Sequence, residues 1–113
     1  MDNFYEAKAE EFLKMKGYKI VEKNFRTRFG EIDIIGRDKE TIALIEVKAR
    51  GEDFWVSPGE AVDSVKRKRL VLAAKFYSAK YPEENYRFDV VTILEGENWR
   101  LYQLIKNAFL LRS

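Results

Sequence analysis

Along residues 4–16 the apolar positions Tyr5, Ala9, Phe12 and Leu13 recur at helical spacing, and Gly17 follows as a stop. The period then shortens. Residues 18–27, YKIVEKNFRT, carry Tyr18, Ile20 and Phe25 as a strand signal whose alternation Val21 blurs. The FGE segment turns the chain into EIDIIG (31–36), and RDKE (37–40) turns it again into TIALIEVKA (41–49). Residues 50–60, RGEDFWVSPGE, lack periodicity and contain Gly and Pro, so they predict a loop in which Ser57 and Pro58 start a helix. That helix runs from about Gly59 to Tyr81 and halts before Pro82. YRFDVVTIL (86–94) and WRLYQLI (99–105) are strands joined by the turn-forming EGEN. The order is αβββαββ. Short turns make neighbouring strands antiparallel, whereas the long helix between the third and fourth strands permits a parallel crossover. The expected fold class is α/β, a mixed β-sheet flanked by helices.

The predicted hairpin of residues 31–49 carries charge in the middle of both arms. Side chains alternate along a strand, so Ile42, Leu44, Glu46 and Lys48 share one face, and Ala43, Ile45, Val47 and Ala49 the other. Glu31, Asp33 and Ile35 likewise share a face. A connection of two or four residues centred on Asp38 and Lys39 sets Asp33 opposite Leu44 and Glu31 opposite Glu46, with all four charges on one face. Asp33 and Glu46 are then diagonal neighbours, about 7 Å apart at Cβ. Two carboxylates this close repel unless one takes a proton or a divalent cation lies between them, with Lys48 beside the site. The alternative is a set of solvated ion pairs on a half-exposed face, worth about 0–1 kcal/mol.

Composition narrows the chemistry. At 113 residues the chain suits one domain, residues 1–113, and 46% hydrophobic with 35% charged residues suits a globular fold. There is no cysteine and no histidine, which removes thiolate sites, His-based catalysis and the usual zinc ligand sets. Any metal must be held by carboxylates and carbonyls, as Mg²⁺ or Mn²⁺ would be. The acidic, amphipathic start does not resemble a secretory signal, and no apolar run is long enough to span a bilayer, so a cytoplasmic protein is expected. A net charge of +2 does not by itself imply a polyanionic partner, so charge placement decides.

Arg26, Arg28 and Arg50 flank the charged hairpin, and Phe54 and Trp55 follow it. A basic rim with aromatics suits a nucleic-acid backbone and unstacked bases, while the same two aromatics could pack the loop onto the core. In the second helix Val62, Val65, Leu72, Ala73 and Phe76 form the expected apolar stripe; Lys66 and Arg69 fall within its range, and Arg67 and Lys68 point elsewhere. Lys66 and Arg69 either snorkel past the sheet edge or meet phosphate. Asp89 reads as a structurally paired acid in a buried strand. Glu6 lies at the rim of the first helix's stripe, as a helix-start acid or as a group aimed at the sheet.

GEIDII (30–35), IEVKAR (45–50), EAVDSVKRKRL (60–70) and RFDVV (87–91), in this order, resemble the YraN family of small bacterial predicted endonucleases. That family belongs to the PD-(D/E)-x-K nuclease fold and is similar to archaeal Holliday-junction resolvases. The match begins at Glu6, with EAKAEEFLKMKGYKIVEKNFRTRFGEID, and ends at RFDVV. Ile32 stands where the superfamily has proline, and Tyr5 where a small residue often precedes the helical acid. The resemblance implies a restriction-endonuclease-like fold and a metal-dependent endonuclease acting on DNA, branched or single-stranded, with a homodimer as a further implication. By position it implies Asp33 and Glu46 as metal-binding carboxylates, Lys48 as the catalytic lysine, and Glu6, rather than Glu10, as the helical acid. It also implies a basic residue at Lys66. A non-catalytic nucleic-acid or partner-binding module on the same fold is the alternative.

Overall fold

The structure, a computed structural model, describes residues 3–51 and 64–108. Helix α1 covers Asn3–Met15. It ends where Gly17 takes a φ of 96°, the Tyr18 N–H bonds to the Leu13 carbonyl at 3.0 Å, and the Gly17 N–H bonds to the Lys14 carbonyl at 3.0 Å. This paired closure satisfies orphan helix carbonyls and folds the Tyr18 ring back into the same apolar cluster as Leu13. Strands β1 (Lys19–Arg26), β2 (Glu31–Asp38) and β3 (Thr41–Gly51) follow, then α2 (Ser64–Lys80), β4 (Asn85–Glu95) and β5 (Arg100–Ile105). The order matches the sequence pattern. Trp99, expected to open the last strand, instead closes the turn before it by accepting the Gly96 N–H.

The five strands form one mixed sheet in the order β1-β2-β3-β4-β5. Only the β3–β4 pair is parallel, and it is the pair that the segment containing α2 connects. Clusters lie on both sides of the sheet. Ala9 and Leu13 of α1 meet Ile34, Ala43, Ile45 and Val91 on one face, while Leu70, Ala74 and Tyr77 of α2 meet Ile35, Leu44, Phe88 and Val90 on the other. The central strands thus have two buried faces, which is why β4 is buried without a break over residues 88–94.

Three details depart from expectation. The β2–β3 turn is Lys39–Glu40, with Lys39 at φ 59°, and Ile34 pairs with Ile45. The register is therefore two residues away from the one centred on Asp38 and Lys39, and Asp33 is next in line for Glu46 rather than Leu44. A two-residue shift keeps every side chain of β3 on its face.

Second, β1 and β2 change phase together. Ile35 packs on the α2 side and Ile34 on the α1 side, but Ile32 returns to the α2 side with its partner Phe25. Lys23, one pair earlier on β1, reaches Glu10 of α1. The change falls at Asn24, whose φ is 54°, and at Asp33. Val21, which blurred the alternation, lies at a separate register irregularity between Ile20 and Glu22.

Third, the buried stripe of α2 is Leu70, Val71, Ala73, Ala74 and Tyr77, while Val65, Leu72 and Phe76 are exposed. Arg67, expected to point away, is half-buried near the start of that stripe. The sheet selects the i, i+3, i+4, i+7 row from Leu70, and Ala73 is the one residue the expected and observed stripes share among those described. The start of this helix near Gly59, the Ser57–Pro58 cap, Val62, Phe54 and Trp55 lie outside the described residues.

On the α1 side Asp89 is fully enclosed by donors. Tyr18 donates its hydroxyl at 2.7 Å, the Arg87 guanidinium donates at 2.8 and 3.1 Å, and the Asn107 N–H at 2.9 Å. Arg87 also bonds to Asp38, holding that carboxyl below its usual range, and burial beside Asp89 pushes the Tyr18 phenol up. Truncating a buried paired charge strands its partners, so Asp89→Ala should lose about 3–5 kcal/mol of stability. Urea denaturation checks this, with Asp89→Asn expected to fall between wild type and Asp89→Ala because the amide retains one acceptor.

Candidate metal centre

The β2–β3 ladder ends at Ile34–Ile45. Beyond it the Asp33 carboxylate takes over as acceptor, receiving the Val47 N–H at 2.9 Å. A side chain thus replaces a ladder carbonyl, and the carboxylate is held against the backbone of β3. Glu46 stands beside it on the α2 face and is only 3% exposed. Burial first, then the Glu46 charge, push the Asp33 carboxyl up to about 7, against the Val47 hydrogen bond; Glu6 adds to the rise.

Glu46 has one oxygen satisfied and one not. Its Oε2 lies 2.5 Å from Lys66 Nζ, whereas Oε1 is buried with no hydrogen-bond partner. An orphaned buried acceptor is costly, about 1–3 kcal/mol or more when charged. Lys66, read in the sequence as either snorkelling past the sheet edge or meeting phosphate, pairs with one of the carboxylates.

A second group of acids adjoins the first. One carboxylate oxygen each from Glu6, Glu31 and Asp33 lies within 4.8 Å of the others. Asn24 links two of them, donating from Nδ2 to Glu6 Oε1 at 3.0 Å and to Glu31 Oε2 at 2.7 Å. The phase change at Asp33 turns Glu31 toward Glu6 of α1, so Glu31 does not share a face with Glu46 and Lys48 as expected. Asp33 is the member common to both groups. Asn24 escaped the sequence reading; its signal was a strand-averse residue that tolerates left-handed backbone, set between Lys23 and Phe25.

The remaining predicted residues divide. Lys48 lies on β3 two residues past Glu46, half-buried, with Thr92 as its ladder partner. Arg69 lines a cavity of about 640 Å³ together with Glu31, Asp33, Glu46 and Lys66. A Cβ on Gly30 would come within 3.2 Å of the Arg69 Cβ, so glycine allows the β1–β2 turn to close on α2. Arg26, at the end of β1, and Arg28, on that turn, are exposed, Arg26 Nε 3.6 Å from Glu31 and Arg28 over the Phe29 ring at 5.1 Å. They border the acids without joining them. Arg50 is in β3, but its side chain lies outside the described residues.

Residues 5–93 match the model of the family described as Uncharacterised protein family UPF0102. The chain belongs to the UPF0102 family. The match spans α1 and most of the sheet, including Glu6, Asp33, Glu46 and Lys48. A UPF0102 protein of Desulforapulum autotrophicum is 42% identical over 103 residues, covering 89% of this chain and 85% of its own. One from Symbiobacterium thermophilum is 43% identical, covering 92% and 91%, and one from Syntrophus aciditrophicus is 44% identical, covering 92% and 84%. These relatives carry the family name alone. No helix among the described residues is long and apolar enough to cross a membrane.

An Asp whose ordinary value is 3.8 but which titrates at about 7 holds its proton after the unfolded chain has released it. Without metal, its contribution therefore falls as pH rises from about 4 to 7. In EDTA, Asp33→Asn should be more stable than wild type by about 1–3 kcal/mol at pH 8, with the gap closing toward pH 4. Thermal or urea melts across that range check it; an Asp33→Asn variant no more stable than wild type at pH 8 would show that the acids are not in conflict.

Proposed function

We propose that this protein is a metal-dependent endonuclease that hydrolyses DNA phosphodiester bonds, on a sheet of the restriction-endonuclease-like type. The observation that carries the reading is Glu46 Oε1, buried and unpartnered beside an Asp33 whose ionised form is disfavoured. Carboxylates in that condition are donors for a hard divalent cation, and the all-oxygen set of Asp33, Glu46 and Glu6 fits Mg²⁺ or Mn²⁺. Asp33 and Glu46 would hold the ion, with Glu6 completing or orienting the set through its contact with Asn24. When bound, such an ion supplies positive charge against a phosphate and acidifies water.

The chain's own groups supply the rest. Lys48, fixed on the same strand as Glu46, places a cationic head toward a phosphate oxygen or the attacking water. Rigid strand backbone sets the separation of the three groups, with the Val47 N–H holding Asp33 in place. Arg69 and Lys66 at the cavity wall offer positive charge to the phosphates on either side of the reacting one. Branched DNA is the substrate class that the resemblance to resolvases favours.

A second reading is a non-catalytic nucleic-acid or partner-binding module. The observation that favours it is the Lys66–Glu46 ion pair, which already neutralises one carboxylate oxygen.

Labelled branched, single-stranded and duplex DNA incubated with Mg²⁺, Mn²⁺ or EDTA tests the choice. Wild type should cut at least one substrate only with metal, and Glu46→Ala and Lys48→Ala should each lose about 10²-fold or more in rate while keeping the fold by circular dichroism. A Lys48→Ala protein that cuts at the wild-type rate would reject the mechanism. Arg69→Ala should weaken DNA binding and lower the slope of log affinity against log salt by about 1.

A further inference from the structure

A second cavity, of about 700 Å³, adjoins the carboxylate site and shares Gly30, Glu31 and Arg69 with it. Its walls are the end of β1 and the β1–β2 turn, carrying Arg26, Arg28 and Phe29, and the outer face of α2, carrying Arg69 and Leu72. Three arginines thus line it against one carboxylate, Glu31.

Its rim is aromatic. Phe76, one turn beyond Leu72 on α2, is 49% exposed, and its ring centroid lies 5.6 Å from that of Phe29 at an interplanar angle of 35°. Arg28 covers the Phe29 ring with its guanidinium. Leu72, which lines the same cavity, is 38% exposed. Apolar residues on this outer face do not serve the core, since α2 buries the opposite stripe.

Guanidinium groups around aromatic rings match a chain that alternates phosphate with flat π-faces. A duplex cannot use the rings, because its bases already stack on one another; an unpaired strand can. Resting on the nuclease reading above, we propose that the Phe29–Phe76 pair is a stacking platform for an unpaired base of the DNA strand whose phosphates meet Arg26, Arg28 and Arg69. The site therefore takes a single-stranded segment directly beside the position that is cut.

Fluorescence anisotropy in EDTA isolates binding from cleavage, using a short labelled single strand and a blunt duplex of the same sequence. Phe76→Ala should weaken single-strand binding about tenfold and duplex binding less than twofold. Phe76→Tyr should stay within about twofold of wild type, and Phe76→Leu should resemble Phe76→Ala, because stacking needs a π-face and not apolar bulk. Equal losses on both DNAs, no loss on either, wild-type-like binding by Phe76→Leu, or no single-strand binding by wild type would each overturn the platform. So would a Phe76→Ala change confined to self-association in sedimentation, which would assign the rings to a second copy of the chain. Absence of metal-dependent cleavage with the Phe76 pattern intact would instead overturn only the nuclease reading.

Discussion

Everything notable about this molecule turns on two carboxylates forced together where a β-ladder stops. The Asp33 side chain receives the Val47 N–H that a backbone carbonyl would otherwise take, and this bond keeps it next to Glu46. Neither acid can swing into solvent without giving up packing or a hydrogen bond. Their mutual repulsion is therefore not relaxed by motion. It is expressed as a raised pKa on Asp33, an ion pair on one Glu46 oxygen, and an unfilled acceptor on the other. Glu46 can tolerate this position because the surrounding sheet supplies enough buried apolar contact to hold a locally unfavourable arrangement.

The same sheet contains the opposite solution to the same problem. Asp89 is as buried as Glu46, yet it receives bonds from Tyr18, Arg87 and the Asn107 backbone, and Arg87 continues to Asp38 and Lys106 joins there. That network ties α1's exit, β2, β4 and the segment after β5 into one rigid unit. A fold able to satisfy one buried acid so completely had the means to satisfy another. The contrast sets Glu46, with one carboxylate oxygen unpartnered, apart from Asp89, whose neighbours all donate to it.

Much of this was legible in the sequence because side-chain period depends on backbone geometry alone. The element order follows from helical spacing, strand signals and turn residues, and the placing of Glu46 and Lys48 on one face of β3 follows from a period of two. Register was less legible: placing the turn at Lys39–Glu40 requires a positive φ at a lysine, which no turn preference announces. The stripe of α2 was misread because its apolar residues fall in an unbroken block, 70–74, after four basic residues, 66–69, so two overlapping rows, one from Val65 and one from Leu70, each have apolar members. Only the sheet decides between them. Glu31's orientation was hidden by the phase change, which depends on the conformation of a single residue on the neighbouring strand.

That residue is Asn24, and its geometry explains how a helix is recruited to a site built on strands. An asparagine can occupy left-handed backbone at low cost, and its amide has two donor hydrogens. Those hydrogens meet Glu6 and Glu31, which would otherwise repel each other next to Asp33. An aspartate here could adopt the same φ but would add a fourth negative charge, and a lysine could neutralise the acids but not hold the backbone. The strand irregularity and the acid cluster are thus one feature: the break in alternation turns Glu31 toward α1, and the side chain at the break binds α1's acid to it.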